Sequence, residues 1–503
     1  MLNKFRRLIL CLTLCLAIFE VKADIPVAKL KVIITIQDFD NRCFSQFFNE
    51  FTEGGFKRLA QGNYYPDVEF PYITTDYNAD IATIFTGSNP CFHGVIGKTS
   101  FNPLENKNTA TLNDNDSKGI NDDYRLSGKN IHSTTIADRL YEDSYGIAKI
   151  VSVATDPSIA MTMCGHSGLP IYMNNLTGEW STSSYYTSAM PEWLSEYNAT
   201  KPIERYLDKT WENLYPIAFY VTSGEKPTIG FKYGVREACN GLKTYDNFTT
   251  TPYCNDFICD LALAAMENEK MGKDLTTDLL MVNFSLSKFH LKQNSSISLE
   301  TEDAYLRLDQ TIKRLIDNAI SKVGLENITI ALIGSRTGGK ENARPINPRL
   351  SYDSFNVGKY SALLNSYLMA FFGQKKWVLS CGYGNIYLNH DEIAKAGLHL
   401  SDVQKKAKEF FYLIPGVQNL CTAEDMEEAF YSTGTVRYAY YRGLSGDLMY
   451  SLMPRWYEVD LKDNPTGYFS SYITSIPIYI YGGSLTQETR QSVKATDISG
   501  ILY

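Results

Sequence analysis

Residues 30–36 read Leu-Lys-Val-Ile-Ile-Thr-Ile, a short apolar run rich in β-branched side chains. Such a run is typical of a strand that is buried on both faces of a parallel sheet. Similar runs recur along the chain, at 147–154, 279–284, 328–333 and 476–481. Helical periodicity fills segments between or after them, at 258–266, 302–323 and 403–411. Strands that alternate with helices predict an α/β fold, with a doubly wound, mostly parallel sheet covered on both faces.

Two ranges do not follow this alternation. Residues 102–129 are dense in Asn, Asp, Ser and Gly, which predicts a surface excursion. Residues 168–223 are rich in Tyr, Trp, Ser and Pro with little periodicity, which predicts a cap insertion over the sheet. Tyr and Trp combine apolar area with a hydrogen-bonding tip, so they suit a protein-facing surface and a packed cap equally well. The sequence leaves these two interpretations open.

The N-terminus has the pattern of an export signal. Basic residues among the first seven precede an apolar run from 8 to 19 and a small-residue cleavage site at 21–23. This pattern predicts a signal peptide over 1–23 and an α/β domain over 24–503. The apolar run is shorter than the roughly 20 residues that span a bilayer. We therefore expect an exported protein with no transmembrane segment in the mature chain.

The net charge and the cysteine content indicate which ligands and cross-links to expect. The formal charge of −8 gives no reason to expect a nucleic-acid partner. Of ten cysteines, Cys11 and Cys15 lie in the predicted leader, which leaves an even number in a compartment that permits disulfides. Cys254 and Cys259 lack a second pair of metal ligands nearby, so disulfides or buried thiols are expected there rather than zinc.

An ordered set of motifs runs through the chain. Gly54-Gly55-Phe56 precedes Thr86-Gly87-Ser88 and His93-Gly94, and Glu302-Asp303-Ala304-Tyr305 and Ser445-Gly446-Asp447 follow later. In this order the motifs resemble those of the alkaline-phosphatase superfamily, and within it the secreted bacterial phosphate-irrepressible alkaline phosphatases. The resemblance covers nearly the whole mature chain. It implies two zinc ions at the carboxyl ends of the strands of a doubly wound sheet, where they activate a Thr or Ser nucleophile.

Other residues stand where this resemblance places the zinc ligands. Zinc favours Asp oxygen and neutral His nitrogen at such positions. The six corresponding positions hold uncharged or cationic side chains, namely Gln37, Lys288, Lys292, Ser335, Arg336 and Thr466. The nucleophile position falls on Tyr77, or on Thr74 if the preceding loop is three residues longer. The resemblance therefore implies a pseudoenzyme with no metal site and no cofactor.

The substrate-holding residues of the family also differ. An asparagine corresponds to Lys98, and a Lys-x-Arg pair corresponds to Thr155-Asp156-Pro157. We therefore expect a secreted, catalytically inactive protein with a binding or structural role, in contact with other proteins of a bacterial periplasmic or cell-surface assembly.

Two alternatives remain open. An active metal-dependent phosphomonoesterase or phosphodiesterase could use Thr74 or Thr75 with a relocated metal site built from Asp38, Asp76 and Asp80. A phosphate- or other anion-binding module could use four cationic side chains, Lys98, Lys288, Lys292 and Arg336, unless internal carboxylates such as Asp80 already pair with them.

Overall fold

The computed structural model describes residues 28–73, 76–221, 229–239, 245–286, 298–336, 354–428, 434–453, 456–462, 465–467, 475–483 and 493–503. The predicted signal peptide, Thr74, Thr75, Lys288 and Lys292 lie outside these ranges. The strands are β1 Leu30–Gln37, β2 Asn63–Glu69, β3 Thr99–Asn102, β4 Lys107–Ala110, β5 Ile150–Ala154, β6 Leu169–Met173, β7 Trp180–Ser181, β8 Thr210–Glu212, β9 Lys232–Gly234, β10 Asp278–Ser285, β11 Ile328–Ile333, β12 Ser354–Asn356, β13 Val378–Gly382, β14 Asn385–Leu388, β15 Val417–Thr422, β16 Leu448–Leu452, β17 Tyr457–Val459, β18 Pro465–Gly467, β19 Ser475–Gly482 and β20 Val493–Lys494. The helices are α1 Asn41–Phe47, α2 Phe56–Leu59, α3 Tyr77–Thr86, α4 Pro90–His93, α5 Ile136–Asp143, α6 Pro157–Cys164, α7 Glu192–Ala199, α8 Glu204–Leu207, α9 Val235–Cys239, α10 Tyr253–Asn268, α11 Leu299–Val323, α12 Val357–Phe372, α13 His390–Lys395, α14 Leu400–Phe411, α15 Ala423–Glu428, α16 Gly434–Ala439 and α17 Ala495–Leu502.

A nine-stranded sheet forms the centre of the fold, in the order β20-β2-β19-β11-β1-β10-β5-β6-β7. The strands from β11 to β6 run parallel, whereas β19 and β7 pair antiparallel with their neighbours. Successive residues of β1 enter two different cores, because side chains alternate across a strand. Val32 belongs to the core that includes side chains of α10 and α11, and Ile33 belongs to the core that includes side chains of α3 and α6. The predicted α/β class with a mostly parallel sheet is confirmed.

The apolar runs and helical periodicities correspond to elements of the structure. The run at 328–333 coincides with β11, and the helical segment at 302–323 lies within α11. The run at 147–154 begins too early, because Ile147 is 56% exposed and the strand starts only at Ile150. A turn with positive φ at Tyr145 and Gly146 precedes it. None of the described helices is both long and apolar enough to cross a membrane.

The range predicted as a cap, 168–223, begins inside the central sheet. It supplies β6 and β7 at one edge, and only the residues after them lie outside the sheet. Trp180, Tyr206 and Trp211 pack inward, with exposed fractions of 0%, 5% and 2%, whereas Tyr185 and Phe219 are 38% and 40% exposed. The buried rings fit a packed cap and the exposed rings fit a protein-facing surface, so both interpretations stay predictions. The eight cysteines among the described residues are free thiols, so the expected disulfides are not formed there.

The Gly54-Gly55-Phe56 motif lies against α11. Asp309 on α11 is 1% exposed and accepts hydrogen bonds from the backbone N–H groups of Thr52 and Phe56, both at 2.7 Å. A Cβ atom at Gly55 would lie 2.1 Å from Oδ1 of Asp309. Only glycine lets the backbone approach the carboxylate this closely. The Gly54-Gly55-Phe56 motif therefore joins α2 to α11.

A buried aspartate on α11 also anchors the segment 211–221. The Asp303 carboxylate accepts hydrogen bonds from Trp211 Nε1 at 2.6 Å, the Leu214 N–H at 2.8 Å and the Tyr220 hydroxyl at 2.5 Å. Asp303 is fully buried. It therefore satisfies the buried donors of Trp211 and Tyr220, and it shares the partly buried Leu214 N–H with the Tyr220 oxygen, which lies 2.9 Å away.

The neighbouring Glu302 is a buried carboxyl group with an incomplete set of partners. Its Oε1 accepts the Val221 N–H at 2.6 Å, and its Oε2 has no hydrogen-bond partner among the described residues. Burial, together with the charges of Glu50 and Asp303, raises the pKa of Glu302 to about 7. The native state therefore retains a proton on Glu302 that the unfolded chain releases at lower pH.

The free energy of unfolding is expected to fall as the pH rises from about 4.5, the ordinary pKa of glutamate, to about 7. In this interval the native state binds more protons than the unfolded state, so the loss is at most about 3 kcal/mol. Glu302→Gln should remove this part of the pH dependence, as measured by urea unfolding at about pH 5 and about pH 8. The control is Glu300→Gln, whose carboxylate accepts the Tyr233 hydroxyl at 2.8 Å. An unchanged pH profile in Glu302→Gln would contradict the prediction.

Candidate functional site

A cleft of about 560 Å³ lies where three parallel strands end. Gln37 ends β1, Ser285 ends β10, and residues 155–158 follow β5 as α6 begins. In open α/β sheets, ligands bind at the carboxyl ends of the strands, so this is the expected place for a functional site. The opposite wall comes from the predicted surface excursion, through Asn113, Asp123, Tyr124, Arg125 and Leu126.

Lys98 and Asp156 form an ion pair in this cleft. Lys98 Nζ lies 2.5 Å from Asp156 Oδ2, and this carboxylate raises the pKa of Lys98. Asp156 also caps α6 by accepting the Ser158 N–H at 2.8 Å. Because 56% of the Lys98 side chain is exposed, the pair adds little stability. The ion pair matters for the charge of the cleft, because the Asp156 carboxylate neutralises the Lys98 ammonium group.

Arg336 follows the end of β11 at Ile333 after Gly334 and Ser335, and it is buried against Asp80 of α3. Its Nε donates to Asp80 Oδ2 at 2.8 Å, and its Nη2 donates to Asp80 Oδ1. The guanidinium carbon also lies 4.4 Å from the ring centre of Phe70. The side chains of Arg336 and Asp80 are 1% and 4% exposed. Burial raises the pKa of Asp80, and the nearby guanidinium opposes that rise. The arginine is therefore held by an internal carboxylate.

A buried hydrogen-bond network continues from Asp80. The Tyr72 hydroxyl lies 3.0 Å from Asp80 Oδ1 and 2.8 Å from Thr83 Oγ1, which in turn lies 3.1 Å from His93 Nε2. Burial lowers the pKa of His93 to about 3, so its ring is neutral. Its Nδ1 accepts the Val95 N–H at 3.1 Å, which leaves the proton on Nε2. The histidine of the His93-Gly94 motif thus has a structural role.

The remaining metal-ligand positions that the resemblance predicts do not all lie together. Ser335 is buried, and its Oγ accepts the Phe39 N–H at 2.9 Å. Gln37 lines the cleft, whereas its neighbour Asp38 is exposed. Thr466 lies on β18, in a three-stranded sheet separate from the central one. The structure therefore brings Gln37, Ser335 and Arg336 to the same edge of the central sheet, at the ends of β1 and β11, and places Thr466 on another sheet.

Tyr77, one of two candidates for the nucleophile position, begins α3. Its hydroxyl accepts a hydrogen bond from Asn283 Nδ2 at 2.7 Å, and the same amide donates to Thr35 Oγ1 at 2.8 Å. Burial raises the pKa of Tyr77, so the phenol remains protonated. A protonated phenol is a poor nucleophile. The other candidate, Thr74, lies outside the described residues.

The described side chains do not fit a zinc ion. Gln37 offers a carboxamide, the Ser335 hydroxyl already accepts a backbone hydrogen bond, and Arg336 is a cation. In the part of the chain that the structure describes, no three His, Cys, Asp or Glu side chains lie close enough together to hold a metal. Lys288 and Lys292 lie outside that part.

A family model described as type I phosphodiesterase / nucleotide pyrophosphatase matches residues 32–342. The chain belongs to this family. The match begins in β1 and extends past Arg336, so it includes both ion pairs described above. Membership in the phosphodiesterase and nucleotide pyrophosphatase family agrees with the resemblance to alkaline phosphatases at the level of fold and ancestry.

Two relatives match nearly the full length of the chain. Alkaline phosphatase PafA from Elizabethkingia meningoseptica is 25% identical over 501 residues, which cover 94% of this chain and 91% of PafA. A protein named calcium-transporting ATPase from Myroides odoratus is 26% identical over 539 residues, which cover 99% and 96%. The crystal structure of wild-type PafA matches with a TM-score of 0.82 at 23% identity and covers 94% of both chains. This match supports the assignment of the fold.

Proposed function

We propose that this chain is a catalytically inactive member of the phosphodiesterase and nucleotide pyrophosphatase family, exported and used for binding within a protein assembly of the cell envelope. The buried pair of Arg336 and Asp80 carries the proposal. A two-metal centre needs anionic and neutral ligands around two dications. In this chain the Arg336 guanidinium follows β11, and the nearby Asp80 carboxylate is already paired with it.

The cleft supports the same conclusion. Metal-dependent phosphoryl transfer relies on positive charge that is free to bind the transferring oxygens. The Lys98 ammonium is paired with Asp156. A phosphoryl group entering the cleft would therefore meet a cation that is already neutralised and a competing carboxylate.

Family membership favours the alternative, an active phosphomonoesterase or phosphodiesterase with a relocated metal site. Of the carboxylates available for such a site, Asp80 is engaged with Arg336, and Asp76 accepts the Asn78 N–H at 2.8 Å as the cap of α3. An anion-binding module is less well supported, because both of its described cations, Lys98 and Arg336, are paired with carboxylates.

The decisive experiment measures metal content and turnover together. We expect the purified full-length protein to contain less than stoichiometric zinc and to hydrolyse neither p-nitrophenyl phosphate nor bis-p-nitrophenyl phosphate when zinc is added. Uncatalysed hydrolysis of phosphate monoesters is among the slowest reactions known, so any background is negligible.

Two threonine variants separate genuine activity from contamination. Stoichiometric zinc, with turnover that Thr74→Ala or Thr75→Ala abolishes, would establish the active alternative. The exposed Thr200 provides the matched control as Thr200→Ala. Trace turnover that all three variants retain equally would come from a contaminating enzyme.

A further inference from the structure

The cleft presents three uncharged polar side chains whose polar groups make no hydrogen bond within the described part of the chain. Gln37, Tyr124 and Thr155 line it from β1, from the excursion and from the end of β5. Among the described residues, none of these three side chains has a hydrogen-bond partner. A carboxamide, a phenol and an aliphatic hydroxyl can each donate and accept. A ligand hydroxyl also does both, so these groups match hydroxyl-bearing ligands.

The charged residues of the cleft disfavour anions. Lys98 and Arg125 face three carboxylates, those of Asp123, Asp156 and Asp246. The lining therefore carries no net positive charge. An anionic ligand would therefore meet more carboxylates than cations. Of the two cations, Lys98 is paired with Asp156, and Arg125 donates to the Asn115 carbonyl at 3.4 Å.

Asp156 occupies the point where an anion would otherwise be most stable. Its carboxylate caps the N-terminus of α6 and contacts the Lys98 ammonium. Both the helix dipole and the cation favour negative charge at this point, and the protein supplies that charge itself. Asp156 thus acts as a built-in competitor for any phosphate, sulfate or carboxylate ligand.

The aromatic ring of Tyr124 and the volume of the cleft further restrict the class of ligand. Tyr124 is partly exposed, with its ring also in contact with Tyr172, and a partly exposed aromatic ring beside a hydroxyl suits the C–H face of a sugar ring. A cleft of about 560 Å³ falls in the range of pockets that enclose small molecules. We propose that this cleft binds a neutral, hydroxyl-rich ligand, a short oligosaccharide, through Gln37, Tyr124 and Thr155, and that Asp156 excludes anionic ligands. The inference rests on the proposed binding function, because it assigns a site and a ligand class to that function.

The test uses the full-length protein and an array of neutral, sulfated and phosphorylated oligosaccharides, followed by calorimetry with the best neutral binder. We expect binding to neutral oligosaccharides only. Gln37→Met removes the carboxamide at similar volume and should weaken binding roughly tenfold. The matched control is Gln61→Met at an exposed position outside the cleft. Thr155→Val provides a second test if Gln37→Met does not fold.

A further variant tests the role of Asp156. Asp156→Asn keeps a helix-capping side chain but removes the charge that neutralises Lys98. This variant should gain saturable binding of inorganic phosphate, which the wild type should lack. The inference is overturned if the wild type binds no neutral oligosaccharide, if it prefers phosphorylated ones, or if the cleft variants bind as tightly as the Gln61→Met control. Because these assays measure binding and not turnover, they can fail while the protein remains catalytically inactive, and hydrolysis can be found while oligosaccharide binding holds.

Discussion

Replacing Arg336 by methionine is expected to lower the free energy of unfolding by about 3–5 kcal/mol. Methionine fills a similar volume but leaves the Asp80 carboxylate buried without its cation, with only 4% of that side chain exposed. Urea unfolding followed by tryptophan fluorescence and by far-ultraviolet circular dichroism would measure the loss. The double variant Arg336→Met with Asp80→Leu should recover most of the stability, because a buried ion pair can be exchanged for apolar side chains at little cost.

Arg236 offers a matched control for this prediction. It pairs with Glu204 and Asp208, and 46% of its side chain is exposed. Arg236→Met should therefore change the free energy of unfolding by less than about 1 kcal/mol. Equal effects of the two methionine variants would show that Asp80 does not depend on Arg336.

Replacing Asp303 by alanine should also be damaging, with a loss of about 3 kcal/mol, because three donors lose this acceptor and the two buried ones cost about 1–3 kcal/mol each. These donors belong to Trp211, Leu214 and Tyr220. The segment 211–221 should also become sensitive to limited proteolysis, which reports local opening. Asp303→Asn should cost less than Asp303→Ala, because the amide keeps one acceptor oxygen.

The exposed Asp208 is the corresponding control, since 76% of its side chain is exposed. Asp208→Ala should leave both the unfolding curve and the proteolysis pattern near those of the wild type. If Asp303→Ala behaved in the same way, the proposed anchoring of segment 211–221 by α11 would be wrong.

The buried strands could be predicted from the sequence, because strands that are buried on both faces consist mainly of apolar side chains. Runs such as 30–36 and 328–333 have few polar side chains, and both lie in the central sheet as β1 and β11. Counting back from the Gly54-Gly55-Phe56 motif places Gln37 after the first of these runs, and alignment after the second places Arg336. Their location at the carboxyl edge of the sheet was therefore predictable.

The partners of these residues could not be derived in the same way. Asp80 was one of several carboxylates available to the cations, and only the packing of α3 beside the end of β11 selects it for Arg336. The position of Tyr124 in the cleft could not be predicted, because a polar stretch has the same composition whether it faces solvent or lines a cleft. The aromatic range 168–223 presented a similar ambiguity, since burial of Trp180 depends on contacts with the distant residue Phe257.

The arrangement of the central strands has a consequence for biogenesis. Leu30 of β1 is aligned with Asp278 of β10 and with Ile328 of β11, so both neighbours of the first strand are made long after it. At typical translation speeds of 5–20 residues per second, β1 waits roughly 12–50 s before β10 has been synthesised. Neither edge of β1 can be covered by its native neighbours in that time. The nascent chain around β1 therefore remains open until β11, which ends at Ile333 of 503 residues, has been synthesised, so the centre of the sheet forms late in synthesis.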